Sequence, residues 1–209
     1  MMTSELNPQQ LIAVNHVEGP LLVLAGAGSG KTRVVTHRIA HLIDLGIVPS
    51  DILAVTFTNK AAEEMRLRIR SMKNAQVLAC TFHSLGARIL RESIGALGYK
   101  YDFAIYDEED SEKLLKGCLE QLGFEKGLLK ELRSAISTAK NSLLSPDKIT
   151  DEPLQKAYEL YQKKLKDCNA LDFDDLLYLT VKLLQEDERA RAEYQQRWLF
   201  VLIDEYQDT

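Results

Sequence analysis

Pro20-Leu21-Leu22-Val23-Leu24-Ala25-Gly26-Ala27-Gly28-Ser29-Gly30-Lys31-Thr32 runs from an apolar stretch through a glycine-rich turn into a helical pattern. Strand, loop and helix in that order make an anion cradle. Backbone N–H groups of the loop converge on phosphate oxygens, and the helix turns its positive end to the same anion. Gly28 and Gly30 can take backbone angles that a Cβ would penalise, which lets the chain approach the phosphates closely. The segment Ala25-Gly26-Ala27-Gly28-Ser29-Gly30-Lys31-Thr32 reads as a Walker A sequence, with Ala25 where glycine is usual. Lys31 is expected to reach the β- and γ-phosphates of a nucleoside triphosphate, and Thr32 to place its hydroxyl on Mg²⁺.

The loop needs an acidic partner, and the far end of the chain has one. Leu199-Phe200-Val201-Leu202-Ile203 is an unbroken apolar run that suits a central strand buried on both faces. It leads directly into Asp204 and Glu205. Asp204 is expected to hold the metal, directly or through water, and Glu205 to orient and activate the attacking water. Lys31, Asp204 and Glu205 are thus the catalytic candidates, and Thr32 and Asp204 the metal ligands.

Asn7-Pro8 has the form of a helix cap followed by proline at the first helical position, opening a helix through about Val17. Beyond the loop, Val34, Val35, Ile39, Leu42 and Ile43 recur at helical spacing, and Gly46 supplies a stop. Ile52 to Phe57 reads as a second strand, Asn59 as the cap of a helix to about Met72, and Gln76 to Cys80 as a third strand. This alternation predicts an α/β fold, a parallel sheet with helices on both faces. From about Ser84 helical patterns dominate for roughly a hundred residues, broken near Gly98, Gly123 and Ser145-Pro146. The expected organisation is a nucleotide-binding domain of residues 1–85 and 171–209, interrupted by an all-helical insertion of residues 86–170. The acidic run Asp107-Glu108-Glu109-Asp110, with Glu112, falls where a helix begins and complements the helix dipole.

The composition, 45% hydrophobic and 27% charged over 209 residues, excludes disorder and a miniature scaffold. No apolar run approaches the roughly 20 residues needed to cross a bilayer, and the first ten residues do not have the form of a signal peptide. A cytoplasmic protein with no membrane partner is expected. The net charge of −5 is unevenly placed: residues 171–209 carry ten acids against four bases, and residues 1–170 carry 21 acids against 22 bases. Lys60, Arg66, Arg68, Arg70 and Lys73 outnumber Glu63 and Glu64 on one helix, which offers a basic face for phosphates. Cys80, Cys118 and Cys168 form no CxxC pair and are expected to be buried thiols. His37 and His41 are four apart but lack a third ligand, and read as helix-surface residues. Asp172, Asp174 and Asp175 read as the acidic opening of a helix.

The two motifs alone leave open what hydrolysis drives. A small-molecule kinase and a non-catalytic binding module both remain possible on those motifs. Other segments narrow the field. Leu6-Asn7-Pro8-Gln9-Gln10, Thr56-Phe57-Thr58-Asn59-Lys60-Ala61-Ala62, Thr81-Phe82-His83-Ser84 and Leu171-Asp172-Phe173-Asp174-Asp175-Leu176 join Ala25 to Arg33 and Asp204 to Thr209 as an ordered set. In that set the sequence resembles, end to end, the superfamily 1 DNA helicases of the UvrD, PcrA and Rep group.

The resemblance implies a RecA-like ATP-binding domain using ATP and Mg²⁺. It also implies translocation along single-stranded DNA with 3′ to 5′ polarity, acting on 3′-tailed duplexes. By resemblance Gln10 reads the adenine edge, Arg33 stacks on the adenine face, and Ala25, Gly26, Ala27, Gly28, Ser29, Gly30, Lys31 and Thr32 cradle the phosphates. Thr56, Phe57, Thr58, Asn59, Thr81, Phe82, His83 and Ser84 line the DNA path. Without the resemblance, Phe57 and Phe82 read as core aromatics. The family's remaining motifs fall beyond Thr209, so the chain by itself is expected to hydrolyse ATP very slowly and to unwind nothing.

Overall fold

The computed structural model describes residues 6–26 and 28–208; Ala27 of the loop and Thr209 lie outside the described residues. In chain order the helices and strands are α1 (Pro8–Asn15), α2 (Lys31–Asp44), β1 (Ile52–Thr56), α3 (Asn59–Lys73), β2 (Leu78–Thr81), α4 (Phe82–Ser93), β3 (Ala104–Ile105), α5 (Glu108–Leu122), α6 (Leu129–Asn141), α7 (Glu152–Asp167), β4 (Ala170–Leu171), α8 (Asp175–Glu186), α9 (Glu188–Arg197) and β5 (Phe200–Ile203). They form a mixed α/β structure with parallel sheets, divided into two compact units: Met1–Leu85 with Ala192–Thr209, and Gly86–Arg191.

The first unit is built on a three-stranded parallel sheet in the order β2-β1-β5. Ile52, Ala54, Ala79 and Leu202 share one face of it and bury against Ile39 and Leu42 of α2 and Met65 and Ile69 of α3. Both helices therefore lie on that face. On the opposite face Leu53 and Val55 of β1 are buried, while Val201 and Ile203 of β5 are exposed.

That exposure corrects the expectation for β5, which among the described residues is an edge strand and not a central one. Its burial alternates, as a one-sided strand requires. The expected strand at Pro20–Leu24 is not formed, and Leu21, Leu22, Val23 and Leu24 are exposed. An apolar run becomes a strand only when a ladder partner satisfies its backbone, and this one has no such partner among the described residues.

The helix starts follow local chemistry. Asn7 accepts from the Gln10 amide N–H at 2.8 Å, while Gln10 Oε1 accepts from the Asn7 N–H at 2.9 Å; this is a complete capping box ahead of Pro8. The cap of α3 is Thr58, one residue before the expected Asn59, and its hydroxyl accepts from the Ala61 N–H at 3.1 Å. Threonine is a good cap, so Asn59 becomes the first helical residue.

In the second unit α5, α6 and α7 bury Leu115, Leu119, Leu132, Ile136, Tyr158 and Leu165 in one core. Asp107 caps α5, with Glu108, Glu109 and Asp110 in its first turn, an arrangement that favours the helix dipole. Gly98 and Gly123 take left-handed conformations at φ 76° and 72°. The unit also contains a short parallel pair, β3 with β4, where only helices were expected.

Residues 171–191 pack with this unit through a buried charge cluster. Lys140 Nζ lies 2.7 Å from Asp172 Oδ2 and 2.9 Å from Asp175 Oδ1, and the Tyr161 hydroxyl donates to Asp172 at 2.9 Å. Asp174 and Asp175 open α8 as expected, with the Asp175 N–H donating to Asp172 Oδ1 at 2.8 Å, and Asp172 and Asp175 are in addition buried ion-pair partners. Burial pushes Asp175 up to about 6 against the opposing pull of Lys140. For Lys140, burial acts downward, but Asp175 and Asp172 outweigh it and hold the ammonium above the usual lysine value.

Candidate functional site

The site lies within the first unit, at the carboxyl ends of its parallel strands, the usual place for ligands in α/β sheets. The loop reaches it with Gly28 at φ 74° and Gly30 at φ 85°, both left-handed conformations that favour glycine. Lys31 opens α2 immediately after Gly30, so the loop amides and the helix N-terminus share one anion-facing end. Gln10 Nε2 donates to the Ser29 carbonyl at 2.9 Å and ties α1 to the loop. A Cβ on Gly30 would stand 3.1 Å from that Gln10 nitrogen, so a side chain there would crowd the tie.

Two residues 172 positions apart meet here. The Thr32 hydroxyl donates to Asp204 Oδ2 at 2.7 Å. Asp204 is 3% exposed, fixed by its own N–H on the Val55 carbonyl at 2.9 Å and by the Glu205 N–H on its Oδ1 at 3.1 Å. Lys31 Nζ is held loosely, 3.4 Å from the Ala25 and Gly26 carbonyls and 3.9 Å from Glu205 Oε2. Glu205 takes φ 54°, an unusual left-handed conformation for a residue with a side chain. A hydroxyl and a carboxylate in contact form the hard-oxygen set that magnesium prefers, and an ammonium beside the loop suits a phosphate. The residues present fit Mg²⁺ and a nucleoside polyphosphate. Arg33 is exposed on the first turn of α2.

Of the residues expected on a DNA path, Phe57 is 55% exposed just past the end of β1, which sets aside the core-aromatic reading. Thr58 spends its hydroxyl on the α3 cap, and Asn59 is exposed beside it. The Thr81 hydroxyl closes on Ser84 Oγ at 2.8 Å, and Phe82 and His83 are half-buried at the start of α4. Thr56 pairs in register with Thr81 and is 1% exposed.

Residues 6–209 match the family model described as UvrD/REP helicase N-terminal domain. The chain belongs to this family. It is 46% identical over 217 residues to the ATP-dependent DNA helicase Rep of Escherichia coli K12, an alignment covering 98% of this chain and 32% of that protein. The ATP-dependent DNA helicases PcrA of Leuconostoc citreum and Bacillus subtilis are 43% and 41% identical over 222 and 221 residues, each covering 100% of this chain and 30% of the relative. The chain thus spans about a third of the length of these relatives.

Several expectations change with side-chain contacts in view. The basic face of α3 is largely neutralised: Arg66 pairs with Glu63, Arg68 with Glu64, and Lys73 with Asp44. Arg66 also donates to the Ala79 carbonyl at 2.7 Å, anchoring α3 to β2. Cys80 and Cys118 are buried as expected, but Cys168 is exposed at the end of α7. His37 and His41 are half-buried on α2; among the described residues there is no cluster of three or more His, Cys, Asp or Glu side chains that could hold a metal. No helix among them is long and apolar enough to cross a membrane.

Proposed function

We propose that this chain is the nucleotide-binding, N-terminal part of an ATP-dependent DNA helicase that moves 3′ to 5′ along single-stranded DNA and opens 3′-tailed duplexes. In this reading residues 1–85 and 171–209 form a RecA-like P-loop domain, residues 86–170 an insertion, and the protein works in the cytoplasm. The observation that carries it is the Thr32–Asp204 hydrogen bond, which joins the loop to the acidic strand end across 172 positions. The names of the relatives, ATP-dependent DNA helicases all, support the choice of reaction.

Thr32 and Asp204 would hold Mg²⁺, which when bound draws negative charge off the phosphate oxygens. Lys31, loosely tethered, is free to swing onto the β- and γ-phosphates. Gly26 through Gly30 supply N–H donors, and Gln10 and Arg33 take the adenine. Glu205 directs a water at the terminal phosphorus and accepts its proton. Phe57 offers an exposed ring on which a base can stack, while Thr58, Asn59, Thr81, Phe82, His83 and Ser84 flank the strand's backbone.

Family members complete the ATP site with arginines from a second RecA-like domain, and an arginine of this kind is worth about 10³- to 10⁵-fold in related NTPases. Purified residues 1–209 are therefore expected to bind Mg-nucleotide, to turn it over at a rate lower by about that factor, and to unwind no duplex. Phosphate release with and without oligonucleotide checks this. Robust DNA-stimulated turnover by these 209 residues would refute the division of labour.

A further inference from the structure

We infer that the Thr56 hydroxyl is a positioning group of the nucleotide site, holding a water in the hydration shell of the cation that Thr32 and Asp204 bind. The inference rests on the nucleotide reading above and moves Thr56 from the DNA path to the metal.

Thr56 is 1% exposed, and its Oγ1 makes no hydrogen bond to any described residue. Buried hydroxyls without a partner are rare and destabilising, so this one calls for a reason. Its direction follows from strand alternation. Ile52 and Ala54 face α2 and α3, so Thr56, two residues on, faces the same side. Leu202 lies opposite Ala54 and shares that cluster, and Asp204, two residues beyond, reaches Thr32 on α2 from the same side. The Asp204 N–H bond to the Val55 carbonyl sets Asp204 beside Thr56 on the neighbouring strand, and strands lie about 4.8 Å apart.

The adjacent hydroxyl on the other side, Thr81, is already satisfied by Ser84. Thr56 is therefore the orphan in a row of polar groups that ends at the metal candidates. Magnesium characteristically keeps several of its waters when bound by one or two protein oxygens. A hydroxyl that both donates and accepts, buried next to Asp204, suits one of them. A DNA phosphate reaches Phe57 far more readily than Thr56, given their exposures of 55% and 1%.

The test is fluorescence titration of the 209-residue chain with methylanthraniloyl-ADP, with MgCl₂ and with EDTA. Thr56→Val is expected to weaken Mg²⁺-dependent binding by about 5- to 10-fold, the worth of one good hydrogen bond. It should leave binding in EDTA and affinity for a single-stranded oligonucleotide unchanged. Thr56→Ser should restore the Mg²⁺-dependent part. Melting of the nucleotide-free Thr56→Val chain should occur at an equal or higher temperature, since the orphan is gone; should valine prevent folding, Thr56→Ala provides the same comparison. Wild-type Mg²⁺ dependence in Thr56→Val, or a loss of oligonucleotide affinity with Mg²⁺ dependence intact, overturns the inference. Absence of any Mg²⁺-dependent binding by the wild-type chain would instead remove the nucleotide reading itself.

Discussion

Lys31→Ala, placed in the full-length helicase proposed above, is expected to lower DNA-stimulated ATP turnover by about 10²- to 10³-fold or more, the range for losing one preorganised charge-stabilising donor. The reason lies in how Lys31 is held. Its ammonium sits at the long end of hydrogen-bond reach from two carbonyls and 3.9 Å from Glu205, with its side chain 22% exposed. Contacts of this kind contribute little to stability, at most about 1 kcal/mol for a partly exposed pair. The substitution should therefore leave the melting temperature nearly unchanged while removing the cation that meets the terminal phosphates. Steady-state phosphate release, measured beside thermal melting, separates the two effects. Retained DNA-stimulated turnover would count decisively against the assignment of this loop.

The largest stability effect is expected from Lys140. Its Nζ is fully buried between Asp172 and Asp175, and also faces the ring of Tyr161 at 5.2 Å. Replacing Lys140 with alanine leaves two buried carboxylates uncompensated, a change that costs about 3–5 kcal/mol. The carboxylates cannot relax into water, because Asp175 is fully buried and Asp172 nearly so. A triple change of Lys140→Met, Asp172→Leu and Asp175→Leu removes the buried charges and should recover part of that loss, since buried ion pairs seldom outperform well-packed apolar groups, while the Tyr161 hydroxyl and the Gln162 amide lose their acceptors. Urea unfolding followed by far-UV circular dichroism tests both. A Lys140→Ala chain as stable as the wild type would show the cluster to be energetically idle.

The loop and its acidic partner were legible from the sequence because their chemistry is local: glycines where the backbone must turn, then Lys31 and Thr32, and a carboxylate pair at a strand end. The Asn7–Gln10 capping box was half legible for the same reason, since Asn-Pro marks a helix start within four residues. Lys140 was not legible. It lies 32 and 35 positions from its partners, on a helix whose pattern gives no sign that one lysine turns inward. Likewise the apolar run Pro20–Leu24 says that burial is favoured but not which strand supplies its ladder, so the predicted strand did not form. Phe200 to Ile203 was misjudged through the same gap, because an unbroken apolar run does not reveal whether both of its faces find neighbours. The spare hydroxyl of Thr56 could not be seen in advance either, since threonine in a strand is ordinary until every partner around it is known.

One experiment bears most directly on whether Thr32 and Asp204 grip a single cation on a bound nucleotide: a double-mutant cycle of Thr32→Val and Asp204→Asn, read as affinity for methylanthraniloyl-ADP with and without Mg²⁺. The account predicts that each single change weakens Mg²⁺-dependent binding by about tenfold or more and that the double mutant is scarcely worse than either. That is a coupling of about 1–3 kcal/mol that disappears in EDTA. Strictly additive losses, or losses of equal size without Mg²⁺, would contradict it.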